Sequence, residues 1–191
     1  MNHLKIFLIL FFIIPINDLI VSQEPSNYTK ASYGNLTMDQ FFNIKSNVLP
    51  DNYSRSNIKS KGAIFISFAH NISERISSGA CFGTNKITSD IILNNQVVGL
   101  LNRYLYTFAI ESDFVYIKKS NFQLYASAGF GYSFGKDEYF IDTGQTDKGF
   151  VGFMAFQVSP LAFRFGNKVS VFTELGFGYK GIANFGLSYV F

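Results

Sequence analysis

Over most of the chain, large apolar residues alternate one for one with small or polar residues. Turn-forming residues interrupt that alternation at regular intervals. Alternation at a period of two is the mark of a strand with two unlike faces. Strand-like runs cover residues 62–71, 75–85, 103–117, 121–134, 150–165, 168–179 and 181–191, and helix-period stretches are nearly absent. The run lengths suit strands that cross a bilayer at a tilt.

The connections are unequal. Ser73-Glu74, Lys119-Ser120 and Gly166-Asn167-Lys168 read as tight turns, whereas residues 86–102 and 135–149 read as long loops. Short turns at one end and long loops at the other are the habit of outer-membrane barrels. The tight connection at residues 179–181 breaks this rule on the long-loop side. An open sheet would leave unpaired edges in lipid, which is not tolerated. Single-chain bacterial barrels also hold even strand counts. An eighth strand is therefore expected within residues 23–61, at residues 28–38. Residues 37–48 alternatively read as a short helix in the first long loop.

Strand parity separates two environments. Phe122, Leu124, Ala126, Ala128, Phe130, Tyr132 and Phe134 share one face, against Gln123, Tyr125, Ser127, Gly129, Gly131 and Ser133. Ala183, Phe185, Leu187, Tyr189 and Phe191 likewise oppose Asn184, Gly186 and Ser188. Val169, Val171, Leu175, Phe177 and Tyr179 oppose Ser170, Glu174, Gly176 and Gly178. A Gly- and Ser-dominated face suits a crowded lumen, and a Phe- and Tyr-rich face suits lipid and its interfaces. In residues 150–165 the parity slips, which would turn Arg164 toward lipid. A bulge near Ser159-Pro160 is predicted to restore the phase.

Residues 1–22 follow a different pattern. Lys5 precedes an unbroken apolar run, with a cleavage point expected between Ser22 and Gln23. This reads as a signal peptide and is short for a membrane span. Three segments result: the signal at 1–22, an N-terminal segment at 23–61 with the first strand and first long loop, and the remaining strands at 62–191.

Composition agrees. The 191 residues include 23 Phe, 11 Tyr and 16 Gly, with no Trp, 1 Cys and 15% charged residues. One cysteine excludes a disulfide framework and multi-Cys metal sites. A net charge of +3, scattered along the chain, gives no basic footprint for nucleic acid.

Few residues suggest chemistry. Glu111, Asp113, Arg164 and Glu174 fall on the inward parity, with Arg75 a further candidate. They form either an ion-pair network plugging the lumen or a narrow conduit. The plug is favoured, because an eight-stranded barrel has room only for side chains. The motif from Gly176 to Gly181 matches GxGxxG but lacks the strand–helix context of a dinucleotide site. His70, Ser73 and Glu74 cluster in a tight turn on the expected periplasmic side, which reads as a hydrated turn. Cys81 reads as a small lumen residue.

The signal segment, the alternating strands and the terminal Tyr189-Val190-Phe191 together resemble the small outer-membrane β-barrel proteins of Gram-negative bacteria, of the OmpA/OmpX-like, opacity-porin-like type. The stretch from Gln157 through Pro160, Arg164, Glu174 and Gly181 to Phe191 is the most characteristic part. The resemblance implies that Tyr189 and Phe191 are a β-signal read by the barrel-assembly machinery. It implies no catalytic residues.

The expected protein is an all-β, eight-stranded, antiparallel up-and-down transmembrane barrel, following a cleaved signal peptide. It would be a monomer in the bacterial outer membrane, in contact with its lipids and free of cofactor. Its expected role is structural or interactive, with surface ligands met through residues 86–102 and 135–149. A narrow porin-like channel and a lipid-modifying enzyme are the alternatives.

Overall fold

The computed structural model describes residues 26–46, 48–50, 52–142, 144 and 146–191. The expected signal segment lies outside the described residues. Eight strands and one short helix follow in order: β1 (Asn27–Asn35), α1 (Met38–Phe42), β2 (Ser54–Asn71), β3 (Ile76–Leu93), β4 (Gln96–Lys119), β5 (Phe122–Ile141), β6 (Thr146–Gly166), β7 (Val169–Gly178) and β8 (Ala183–Val190). Each strand pairs antiparallel with the next, and β8 pairs with β1 to close the barrel. Closure satisfies the backbone without an edge, which a bilayer requires. At the seam, the Asn27 N–H donates to the Phe191 carbonyl (3.0 Å) and the Phe191 N–H donates to the Asn27 carbonyl (2.8 Å).

The missing strand is β1, and it stops at Asn35 rather than residue 38. Leu36 adopts φ 59°, with its N–H donating to the Asn35 side chain. That turn delivers the chain into α1, where the Gln40 side chain accepts the Thr37 N–H (3.0 Å). The strand and the short helix expected from the sequence therefore both occur, one after the other.

The two long loops expected at 86–102 and 135–149 are mostly paired strand. β3 and β4 continue as a hairpin to a two-residue turn at Asn94-Asn95, whose φ values are 50° and 63°. Left-handed Asn pairs suit such hairpin turns, because their twist matches the strands. β5 and β6 stay paired up to Phe140 and Thr146. Alternation persists in these extensions, but the outward residues include Lys86, Lys136 and Lys148, all exposed. Exposed Leu100 and Phe140 lie among them, and this mixture of charged and apolar outward positions hid the strand. Among the described residues, only the connection between β1 and β2 is an extended loop. The wall is consequently uneven, tall along β2–β6 and low along β7, β8 and β1.

The described faces separate by environment. Ile66, Phe82, Ile110, Phe130, Met154, Val171 and Leu187 are among the exposed apolar side chains on seven different strands. Such a continuous apolar exterior belongs in hydrocarbon. The register of β6 against β7 slips between Val158 and Leu161. Ser159 and Ala162 both point inward, Pro160 lies outside, and Arg164 remains buried. Tyr179 departs from its expected outward face. It is buried, because Gly178 (φ 148°) turns the chain inward at the end of β7.

Candidate functional site: a filled lumen

Two charge clusters occupy the interior. The lower one begins with Lys30 on β1, whose ammonium lies 2.9 Å from Asp113 on β4 and 3.1 Å from Glu174 on β7. Tyr28 donates to Asp113 (2.7 Å) and Tyr125 donates to Glu174 (3.0 Å). Arg164 approaches Asp113 at 3.8 Å and sits over the rings of Tyr28 and Tyr125, with centroids at 4.6 and 5.1 Å. Above this, Lys180 reaches Glu111 at 2.6 Å and Glu174 at 3.6 Å. Glu111 also accepts from Tyr179 (2.6 Å) and Ser67 (3.1 Å), while Asn184 donates to Glu174 (2.9 Å).

The lower cluster is neutral as a set. Lys30, Arg164 and Lys180 oppose Glu111, Asp113 and Glu174, and all six side chains are buried. Neutrality and dense hydrogen bonding matter, since a lone buried charge costs several kcal/mol (roughly 3–5 when one partner is removed).

The upper cluster ties the first loop into the barrel. Asp39 of α1 lies within salt-bridge distance of Arg55 on β2 (3.0 Å) and of Arg103 on β4 (2.5 Å). Arg103 grips Asp137 with two hydrogen bonds of 2.7 Å. Both arginines also donate to the Ile44 carbonyl, at 2.6 Å from Arg55 and 2.9 Å from Arg103. This set is neutral too, with two arginines against two aspartates. Beyond it, Leu49 of the loop joins Ile91, Leu101, Tyr139 and Ile141 in an apolar cluster. Between the two charge layers Met38, Phe65, Cys81 and Tyr179 pack together. The cavity there, bordered by Thr37, Asn85 and Phe153, is about 10 Å³. That is at the limit for one water. At the short-turn end a vestibule of about 190 Å³ stops at Asp113, Tyr125 and Arg164.

All four charged residues singled out in the sequence lie inside: Glu111, Asp113, Arg164 and Glu174. Arg75 does not join them. It sits exposed in the β2–β3 turn, with its N–H directed to Ser73. Parity missed their partners. Lys30 lay in the weakly patterned N-terminal segment, although its alternation with Ala31 was a usable signal. Lys180 comes from a turn, where parity says nothing. Asp39, Arg55 and Arg103 are brought together only by the inward fold of the first loop. Asp137 lies within residues 135–149, expected as a ligand-meeting surface loop, and is instead 1% exposed.

The remaining candidates have plain surroundings. The His70 ring lies 2.9 Å from the Asn27 side chain at the short-turn end. Ser73 accepts the N–H of Ile76 (3.1 Å). The GxGxxG glycines serve the low rim: a Cβ at Gly181 (φ 97°) would lie 1.9 Å from the Asn35 carbonyl oxygen. Among the described residues, no group of three or more His, Cys, Asp or Glu is placed to hold a metal ion. Tyr189 faces outward, and Phe191 ends the chain at the seam.

The closed sheet, the apolar exterior and the charge-filled interior define a small transmembrane β-barrel of the outer-membrane type. No protein-family model matches the chain, and no curated protein matches it. Among solved structures it is similar to Ail, the attachment invasion locus protein of Yersinia pestis, determined in complex with the heparin analogue sucrose octasulfate. The identity is 12%, covering 86% of this chain and 99% of that one, with a TM-score of 0.47. It is also similar to the outer membrane protein OprG from Pseudomonas aeruginosa, at 11% identity over 87% of this chain and 95% of that one, with a TM-score of 0.35. Both likenesses concern the fold alone.

Proposed function

We propose that this protein is a closed, monomeric barrel of the bacterial outer membrane with a structural or surface-interaction role and no catalytic activity. Residues 1–22 direct export, and Tyr189 with Phe191 serve as the signal for the barrel-assembly machinery. The observation that carries this reading is the filled lumen, blocked by two neutral charge layers and by the first loop seated between and above them. A pore needs a continuous aqueous path, and the ion pairs occupy that path.

Interaction falls to the β3–β4 and β5–β6 hairpins, which rise above the belt. On their outer face Lys86 and Lys136 flank Tyr104, with ammonium groups 4.9 and 6.0 Å from the ring centroid. Lys148 pairs with Glu138 at 3.1 Å in water above the membrane-spanning segment. That hydrogen bond, with Lys136 nearby, holds the Glu138 carboxyl below its ordinary pKa. A basic and aromatic face of this kind suits an anionic surface ligand.

A lipid-modifying enzyme would need a nucleophile and a base facing the outer leaflet. His70, the histidine among the described residues, is at the opposite end beside Asn27. Planar-bilayer recording tests the main reading. Wild type and Glu174→Ala should both lack steady conductance. Ohmic channels from the wild type would overturn the plug and favour the porin-like alternative.

A further inference from the structure

The low side of the wall creates an exposed apolar cap. β7 ends at Gly178 and β8 begins at Ala183, whereas β6 continues well above them to Thr146. α1 lies across this low rim and has two unlike sides. Met38 and Asp39 are buried toward the lumen. Phe41 and Phe42 are on the other side, 50% and 58% exposed. Both rings stack edge-on against Phe177 at the top of β7, with centroids 5.3 and 5.6 Å away. Phe177 in turn meets Phe156, at 6.0 Å. Phe156 belongs to the lipid-facing row Met154, Phe156 and Val158. Leu36, just before the helix, is exposed as well. The apolar surface of the barrel thus runs without a break onto the outer side of α1.

The geometry points to α1 as a lipid-docked clamp: Phe41 and Phe42 insert among the acyl chains of the outer-face leaflet, while Asp39 on the same short helix locks to Arg55 and Arg103 inside the barrel. The occupant of the exposed face is lipid because the face continues the belt and shares its aromatic contacts. Aromatic side chains at the chain–headgroup boundary are favourable anchors, and interfacial apolar faces sink about 5–10 Å below the headgroups. The helix therefore straddles the wall. Its inner side closes the lumen and its outer side is held by the membrane. The first loop is then a membrane-held plug rather than a surface loop, and recognition in water is left to the tall hairpins. This inference rests on the transmembrane reading.

The absence of Trp from the chain makes single reporters clean. Phe41→Trp and Phe42→Trp would be refolded into phosphatidylcholine vesicles, with and without bromine high on the acyl chains. Ile110→Trp on the belt and Phe140→Trp on the tall hairpin serve as controls, and the gel shift on boiling verifies folding. Brominated lipid should quench Phe41→Trp and Phe42→Trp severalfold, nearly as well as Ile110→Trp, and both should be shielded from iodide. Phe140→Trp should show the reverse. Iodide quenching of the α1 reporters, with Ile110→Trp still quenched by bromine, would overturn the clamp. So would shielding from both quenchers that vanishes on dilution of protein in lipid, since a second copy would then cover the face. If Ile110→Trp itself ignores bromine, the transmembrane reading fails, and the clamp with it.

Discussion

Lys180, on the turn between β7 and β8, places its ammonium 2.6 Å from the Glu111 carboxylate on β4, across the barrel. A turn residue and a wall residue thus meet in the middle of the lumen. The side chain is 1% exposed, so its charge depends on this partner and on Glu174. Lys180→Met should strand Glu111 and lower stability by about 3–5 kcal/mol. Lys180→Met with Glu111→Gln should recover most of that loss. Urea unfolding in detergent micelles, followed by the boiling-sensitive gel shift, measures both.

The bulge at Pro160 keeps Arg164 inside. Deleting Pro160 would shift every later β6 residue to the other face and aim Arg164 at lipid. The deletion should abolish refolding into vesicles. Pro160→Ala keeps the residue count and should fold nearly as well as wild type. A folded deletion variant would contradict the bulge as the phase-setting device.

The upper cluster holds the first loop. Arg103→Ala removes the grip on Asp39, Asp137 and the Ile44 carbonyl together. Loop opening should then cost less free energy than in the wild type. Trypsin cleavage after Lys45 should accelerate while the barrel strands stay intact, as read by mass spectrometry of the fragments.

Gly181 faces the Asn35 carbonyl too closely for a Cβ and has a positive φ. Gly181→Ala should cost at least about 1–3 kcal/mol from backbone strain alone. The measurement is the urea midpoint, and an unchanged midpoint would show that the low rim yields easily.

Phe191 has two separable roles. Its backbone closes the seam with Asn27, and its ring faces outward. Phe191→Ala keeps the backbone bonds, so refolding in detergent should match wild type. In cells its outer-membrane level should fall if the ring is read during assembly. Equal levels in both would remove the β-signal reading.

Strand character and face were local properties, and the chain displayed them openly. The parity of residues 121–134 and 181–191 determined which side chains meet lipid, and the slip before Arg164 announced its bulge. Glu111, Asp113 and Glu174 followed from the same count, because each sits on a regular stretch of strand, whereas Arg164 followed only once the bulge was allowed for. The tertiary structure alone decided what those charges meet. Lys180 enters from a turn, Tyr179 is redirected by Gly178, and Asp39 arrives on a loop that folds inward. Hairpin height was also hidden, since beyond Lys86 and Gly135 the outward residues become mixed, with Lys86, Lys136 and Lys148 beside exposed Leu100 and Phe140. Periodicity records the direction of a side chain relative to its own strand. Partners across a lumen depend on how far the chain travels and where it turns back, and only closure of the barrel settles that.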